Sequence, residues 1–189
     1  MSVHVSIVIA IVIVVAGLVA VFLAWNGKRK RSARLRARFG PEYDRLVAET
    51  GSRAEAEKVL EEREKRSRKI IIRPLPVQDR EHFAQAWRNL QARFVDAPGE
   101  AVIEADQLLE QLMAQRGYPT GDFEQQADDI SVDHPRVVQN YRAAHSIAER
   151  QLQGQASTEE LREAVVEYRA LYEELLSPGL TIAKNEVQK

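Results

Sequence analysis

The order of apolar and polar positions divides the chain into one long apolar run near its start and a series of amphipathic segments further on. Residues 7–25, IVIAIVIVVAGLVAVFLAW, contain no charged side chain. A helix needs about 20 such residues to cross about 30 Å of hydrocarbon, and in lipid only a helix satisfies its own backbone polar groups. The run therefore predicts a transmembrane helix, within an N-terminal anchor of residues 1–26.

The same run differs from a cleaved signal peptide. Such peptides begin with basic residues and have an apolar core of about 7–15 residues. Here the residues before Ile7, MSVHVS, contain no Lys or Arg, and the core is longer. Trp25 stands at the end of the run, where interfacial aromatic residues are common. We therefore expect the anchor to be retained.

Four later segments repeat apolar residues every three or four positions, which is typical of helices with one buried face. They cover about residues 78–95, 99–116, 135–152 and 157–177. Ser157 and Glu160 have the spacing of a capping box, and Gly117 suits a helix C-terminus. The predicted core positions are Phe83, Trp87, Leu90 and Phe94; Val102, Ala105, Leu108, Leu109, Leu112 and Met113; Val138, Tyr141, His145, Ala148 and Leu152; and Leu161, Val165, Tyr168, Tyr172 and Leu175.

These segments predict an all-α fold, because amphipathic helices with short connections bury their apolar faces best as a bundle. We expect a single N-terminal transmembrane helix, a charged helical stalk next to the membrane, and a compact bundle of about four helices. The bundle would occupy residues 77–179, followed by a tail at 180–189. Between helices, residues 118–135 form the least regular part, where Asp122 caps a short helix and Pro135 begins the third bundle helix.

Residues 27–76 join the anchor to the bundle. After the basic residues they contain a short predicted helix, a highly charged segment and an apolar segment with two prolines. Pro41 suits the start of a short helix that ends at Gly51, and Ser52 can cap the next one. Residues 53–69 are almost all charged, which favours a solvated spacer helix; light packing on a partner is the alternative. Residues 70–76, IIIRPLP, predict an extended strap on the bundle, because the prolines disfavour helix and three isoleucines avoid water.

Charge is distributed unevenly along the chain, although the formal net charge is only -1. Seven of the 27 basic residues lie between positions 28 and 38 with no acid among them, which leaves about 20 basic against 28 acidic residues elsewhere. Basic residues beside a membrane helix stay in the cytoplasm, so we expect the N-terminus outside and residues 27–189 inside. Anionic lipid headgroups are possible partners of Lys28, Arg29, Lys30 and Arg31. We expect no nucleic-acid binding, which needs interleaved aromatic residues or a known motif.

Candidate chemistry is sparse. There is no cysteine, which excludes disulfides and thiolate sites, and the common nucleotide and hydrolase motifs are absent. We expect no catalytic, cofactor-binding or metal-binding residue and no resident cofactor. One constellation could nevertheless hold a metal ion. It consists of Asp128, Asp129, Asp133, His134 and His145, although His134 and His145 would lie about 16 Å apart on one helix.

Two stretches carry a resemblance. They are FGPEYDRLVAETG at 39–51 and DFEQQADDISVDHPRVVQNYRAAHSIAER at 122–150, supported by RPLP at 73–76. Together they resemble a group of uncharacterised bacterial proteins of the high-GC Gram-positive type, whose members often have one N-terminal membrane helix and a helical soluble domain. The resemblance implies this architecture and a bacterial inner (plasma) membrane setting. It implies no activity.

Three functions are compatible with the sequence. The first is a membrane-tethered interaction or scaffold module whose partner binds at 118–135 and at the strap 70–76, since loops carry function more often than packed helices. The second is a metal-dependent or hydrolytic enzyme centred on residues 122–135, with Asp129, Asp133 and His134 in the site. The third is a regulator that responds to the state of the membrane. We favour the first over an enzyme.

Overall fold

The computed structural model describes the backbone of residues 2–177. The side chains of residues 2–14, 20, 21 and 24 lie outside this description, as do Met1 and residues 178–189, which include the predicted tail. The described residues form two compact units, residues 1–38 and 39–189. All regular elements between residues 2 and 177 are helices, so the predicted all-α class is confirmed.

The first unit consists of most of helix α1, Ser2–Phe39. The guanidinium of Arg29 lies 4.4 Å from the centre of the Trp25 ring, which is a cation–π contact at the end of the apolar run. Within the described residues, no helix is both long enough and apolar enough to cross a membrane. The predicted membrane segment, residues 7–25, falls largely on positions whose side chains lie outside the description.

The second unit begins with a helical hairpin, α2 (Pro41–Thr50) and α3 (Arg53–Ser67). Pro41 starts α2, Gly51 ends it in the left-handed conformation, and the Ser52 side chain accepts from the Glu55 amide at the start of α3. The two helices pack on each other and bury a small apolar set that lies outside the main core: Tyr43, Leu46, Ala56 and Leu60.

Helix α3 also packs against α6, so the prediction of a solvated spacer is wrong. The high charge of α3 favoured an exposed helix in the sequence analysis. In the structure, its charged side chains Glu57, Arg63 and Glu64 are buried, as are its apolar side chains Ala56 and Leu60. Carboxylates on neighbouring helices offset the burial of Arg63, as described below, and Glu57 accepts a hydrogen bond from the hydroxyl of Tyr43.

The bundle contains five helices: α4 (Val77–Arg93), α5 (Pro98–Arg116), α6 (Phe123–Asp133), α7 (Val138–Leu152) and α8 (Thr158–Leu176). The predicted capping box of Ser157 and Glu160 is present at α8. Nearly all predicted core positions are buried, including the tyrosines at 118, 141, 168 and 172. Leu152 is an exception, because it is 70% exposed; Phe94 is partly buried and packs against the core, and His145 is partly buried.

Residues 118–135 are more regular than predicted. Asp122 caps a helix as expected, its side chain accepting from the Gln125 amide, but α6 continues for eleven residues. It buries Ala127 and Ile130 in the core. Helix α7 begins at Val138, three residues after Pro135, because the carbonyl of His134 accepts from the amides of Val137 and Val138 in the intervening turn.

The strap, residues 70–76, contains no regular secondary structure. Ile70, Ile72 and Leu75 enter the main core, whereas Ile71 between them is 79% exposed. The amide of Arg73 donates to the carbonyl of Arg116 at 2.8 Å, at the end of α5. The strap is therefore a structural part of the bundle.

Candidate functional site

The five residues of the predicted metal constellation do not converge. Asp128 and Asp129 on α6 face arginines, Asp133 and His134 lie at the other end of α6, and His145 on α7 faces Asp106. Among the side chains that the structure describes, no group of three or more His, Cys, Asp or Glu is arranged to hold a metal ion. The structure instead assembles two polar clusters and one partly buried histidine.

The first cluster, here called the charge cluster, joins the α2–α3 hairpin to the bundle. Its centre is Arg63 of α3, which is 4% exposed. One terminal nitrogen of Arg63 lies 2.7 Å from Glu42 of α2, and the other lies 2.7 Å from Asp128 of α6. Glu42 is completely buried. One arginine therefore links three helices.

Further ion pairs surround this centre. Arg142 of α7 lies 2.9 Å from Asp128 and 3.7 Å from Glu42, and it also contacts Glu124. Arg66 donates from Nε to Asp129 at 2.7 Å. Two more contacts reach Glu42, from Arg45 of α2 at 2.7 Å and from the amide group of Gln139 on α7. The charge cluster thus includes groups from α2, α3, α6 and α7.

The surroundings shift the pKa values of Glu42 and Asp128 in opposite directions. Burial acts to raise the pKa of Glu42, but hydrogen bonds from Arg45 and Arg63 outweigh it and lower that pKa. Burial raises the pKa of Asp128, and the nearby Arg63 and Arg142 only partly offset it. Because arginines surround both groups, the cluster is suited to holding helices together.

The second cluster contains His134 and Asp133, at the end of α6. His134 is 2% exposed, and its Nδ1 lies 2.7 Å from a carboxylate oxygen of Glu174 on α8. Its Nε2 lies 3.1 Å from the hydroxyl of Tyr118, which is also 3.3 Å from Asp133. Burial raises the pKa of Tyr118 well above its usual range, so this hydroxyl remains protonated. The arrangement fixes the end of α6 against α8.

His145 lies between an aromatic ring and a carboxylate. Its ring stacks on Phe123 with centroids 3.6 Å apart, and its Nδ1 lies 3.2 Å from Asp106 on α5. The hydroxyl of Tyr168 also donates to Asp106, at 2.7 Å. Burial acts to lower the pKa of His145, but the hydrogen bond and charge of Asp106 outweigh it and raise that pKa.

The two predicted partner-binding segments meet at Gly117. The carbonyl oxygen of Ile71 approaches so closely that a Cβ on Gly117 would lie 2.5 Å from it. Ile71 is exposed, and so are residues 119–122, which follow the buried Tyr118. The exposed Ile71 and the exposed residues 119–122 are here together called the strap surface.

An open groove of about 530 Å³ lies between α4 and α5. Its lining is largely polar and includes two glutamates: His82, Ala86, Glu100, Ile103, Glu104, Gln107, Leu108 and Gln111.

Sequence reasoning missed Glu42 and Arg63 as central groups. In the sequence, Glu42 directly follows Pro41 and has the ordinary position of an acid at a helix start, which is common. A signal for Arg63 was available, because residues 56, 60, 63 and 67 share one helical face and all four are buried. The high charge of the segment concealed this spacing.

Comparisons of the chain with family models, curated proteins and solved structures give no significant match.

Proposed function

We propose that this chain is a membrane-anchored helical module that binds a partner protein on the cytoplasmic side of a bacterial inner membrane. The observation that carries the proposal is in the sequence: the apolar run 7–25 is followed by seven basic residues without an intervening acid. The run has the length of a membrane-spanning helix, and the collar has the sign and position that keep the following residues in the cytoplasm.

The basic collar also suits contact with anionic lipid headgroups. Lys28, Arg29, Lys30 and Arg31 are adjacent in sequence, and each basic residue near an anionic surface contributes about 1 kcal/mol of attraction. The contact of Arg29 with the Trp25 ring supports the same placement, because both side chains favour the membrane interface.

The strap surface is the part of the domain that best suits a protein partner. Ile71 is an isoleucine with most of its side chain exposed, on a segment that Ile70 and Ile72 hold firmly in the core. A rigidly held apolar side chain loses little entropy on binding. Residues 119–122, which follow Gly117 closely in the chain, are also exposed and include the polar side chains of Thr120 and Asp122, of the kind found at an interface rim.

Crosslinking in the native membrane tests this proposal. The full-length protein is the bait, and captured proteins are identified by mass spectrometry. We expect one recurrent partner with the unchanged chain and its loss with Ile71→Asp. The matched control is Val166→Asp, which changes another exposed apolar residue, 62% exposed on α8, and should retain the partner.

Two outcomes would contradict the proposal. The first is the absence of any recurrent partner although both variants are folded and present in the membrane. The second is equal loss of the partner with Ile71→Asp and Val166→Asp, which would show that the partner does not bind specifically at the strap surface.

A further inference from the structure

Arg116, the last residue of α5, is a buried cation with no side-chain partner among the residues that the structure describes. It is 1% exposed, and its Nε and Nη2 atoms have no hydrogen-bond acceptor. Its backbone carbonyl accepts from Arg73 of the strap, so the main chain around it is fixed. A buried charge is strongly unfavourable unless it is paired and hydrogen-bonded.

A second cation, Arg80 in the first turn of α4, lies in the same region, because its neighbour Asp79 is hydrogen-bonded to Gln115, the neighbour of Arg116. The Nη2 of Arg80 donates to the carbonyl of Leu75 at 3.3 Å, whereas its buried Nε has no acceptor. Neither Arg80 nor Arg116 forms an ion pair within the described part of the chain. Burial lowers the pKa of Arg116; the Tyr118 hydroxyl opposes this effect and the positive charge of Arg80 adds to it.

The start of α4 adds further positive potential at the same place. A hydrogen bond of 3.0 Å from Gln115 to Asp79 holds the first turn of α4 beside the last turn of α5. Pro76, which precedes α4, provides no side-chain cap. The first amides of a helix carry partial positive charge and favour anions. The carboxylate of Asp79 is engaged by Gln115.

We propose that Arg116 and Arg80, where the strap crosses the ends of α4 and α5, form a binding site for an oxyanion of the phosphate class. Two guanidinium groups and a helix start present enough positive charge for a doubly charged anion. The planar fork of arginine donates paired hydrogen bonds to phosphate oxygens. The bound anion supplies the acceptors that Nε and Nη2 of Arg116 lack. The site goes beyond the tether and partner surface proposed above.

The phosphate group could belong to a free small molecule or to a phospholipid headgroup. The full-length protein is purified in phosphate-free detergent micelles, and its thermal unfolding is followed while inorganic phosphate is added at constant ionic strength. A parallel series uses nanodiscs of phosphatidylcholine with and without phosphatidic acid. Ligands that bind only the folded protein raise its unfolding temperature, so an increase in the micelle series assigns the free anion. An increase only with phosphatidic acid assigns the headgroup.

Arg116→Met is the decisive variant. It should lose the response to phosphate or phosphatidic acid, and without ligand it should unfold at the same temperature as the unchanged protein or higher, because an unpaired buried charge has been removed. Arg88→Met, an exposed arginine on α4 that bonds to Gln85, should keep the response. If Arg116→Met does not fold, Arg80→Met provides the same comparison and should weaken the response.

The proposal is overturned if the unchanged protein responds to neither phosphate nor phosphatidic acid. It is also overturned if the Arg116 or Arg80 variant responds as strongly as Arg88→Met, because the anion would then bind elsewhere.

Discussion

Arg63 and Glu42 form an ion pair of 2.7 Å in which both side chains are buried, although they lie on different helices of the α2–α3 hairpin. The second terminal nitrogen of Arg63 reaches Asp128 on α6. Buried charges therefore take part in joining the hairpin to the bundle, and the apolar residues of the hairpin lie outside the main core. Such a contact is specific in geometry and sensitive to the loss of either partner.

Removal of Arg63 is predicted to destabilise the domain strongly. Breaking a buried pair by deleting one partner typically costs about 3–5 kcal/mol, because the other charge remains buried without compensation. Arg63→Ala leaves Glu42 with Arg45 and Arg142 as its remaining charged neighbours, so we expect about 3 kcal/mol in chemical denaturation. The exposed Arg162, paired with Glu159, is the control, and Arg162→Ala should change the free energy of unfolding little.

The double variant Glu42→Gln/Arg63→Met distinguishes a direct pair from two independent effects. If the charges interact as the geometry indicates, the double variant loses less stability than the sum of the single variants. Strict additivity would contradict the central place of this pair in the charge cluster.

Acid is predicted to weaken the charge cluster through Glu42. Its pKa in the folded protein is lowered from the ordinary value of a glutamate, because the hydrogen bonds from Arg45 and Arg63 outweigh burial. A lowered pKa contributes stability that is fully present above the unfolded pKa and is lost as pH falls through the folded value. Unfolding measured below about pH 4.5 should therefore show a steeper loss of stability for the unchanged protein than for Glu42→Gln.

Asp128 acts in the opposite direction in the same pH range, because burial raises its pKa. The comparison with Glu42→Gln, in which Asp128 is retained, separates the two effects. An equal pH slope in both proteins would show that the arginines do not hold Glu42 in its charged form.

Gly117 is predicted to be the least replaceable glycine in the bundle. It has a φ of 92°, which L-residues rarely adopt, and a Cβ there would lie 2.5 Å from the Ile71 carbonyl oxygen. Gly117→Ala should cost more than the roughly 1–2 kcal/mol of a left-handed alanine, because the strap must also move. Gly154 is the matched control: its φ is 70° with open space around it, so Gly154→Ala carries only the backbone cost. Equal losses in thermal unfolding would contradict the close packing of the strap.

Much of the bundle could be predicted from apolar spacing alone. The stripe from Val102 to Met113 is buried throughout, and the Ser157 capping box is present. These features are local. The burial of the first depends on one face of one helix, and the capping box depends on residues at the start of α8. The strap was predictable for a similar reason, because prolines exclude helix and isoleucines avoid water.

The charge cluster was not predictable in the same way. Its members come from positions as far apart as Glu42 and Arg142. A local sequence pattern does not indicate which charged residues will form contacts between different helices. Arg63 differs from the exposed charges around it only by its position on the face of Ala56 and Leu60. Leu152, which the apolar spacing also places on the buried face, is the last residue of α7 and is exposed.

The central claim is that residues 7–25 cross a membrane with the helical domain on the cytoplasmic side. The chain contains no cysteine, so single cysteines can be introduced without background, as Ser2→Cys and Ser157→Cys. In intact cells, a maleimide that cannot cross membranes should label Cys at position 2 and should label position 157 only after the membrane is permeabilised. Labelling of position 157 in intact cells, or recovery of the protein in the soluble fraction after cell lysis, would contradict the account.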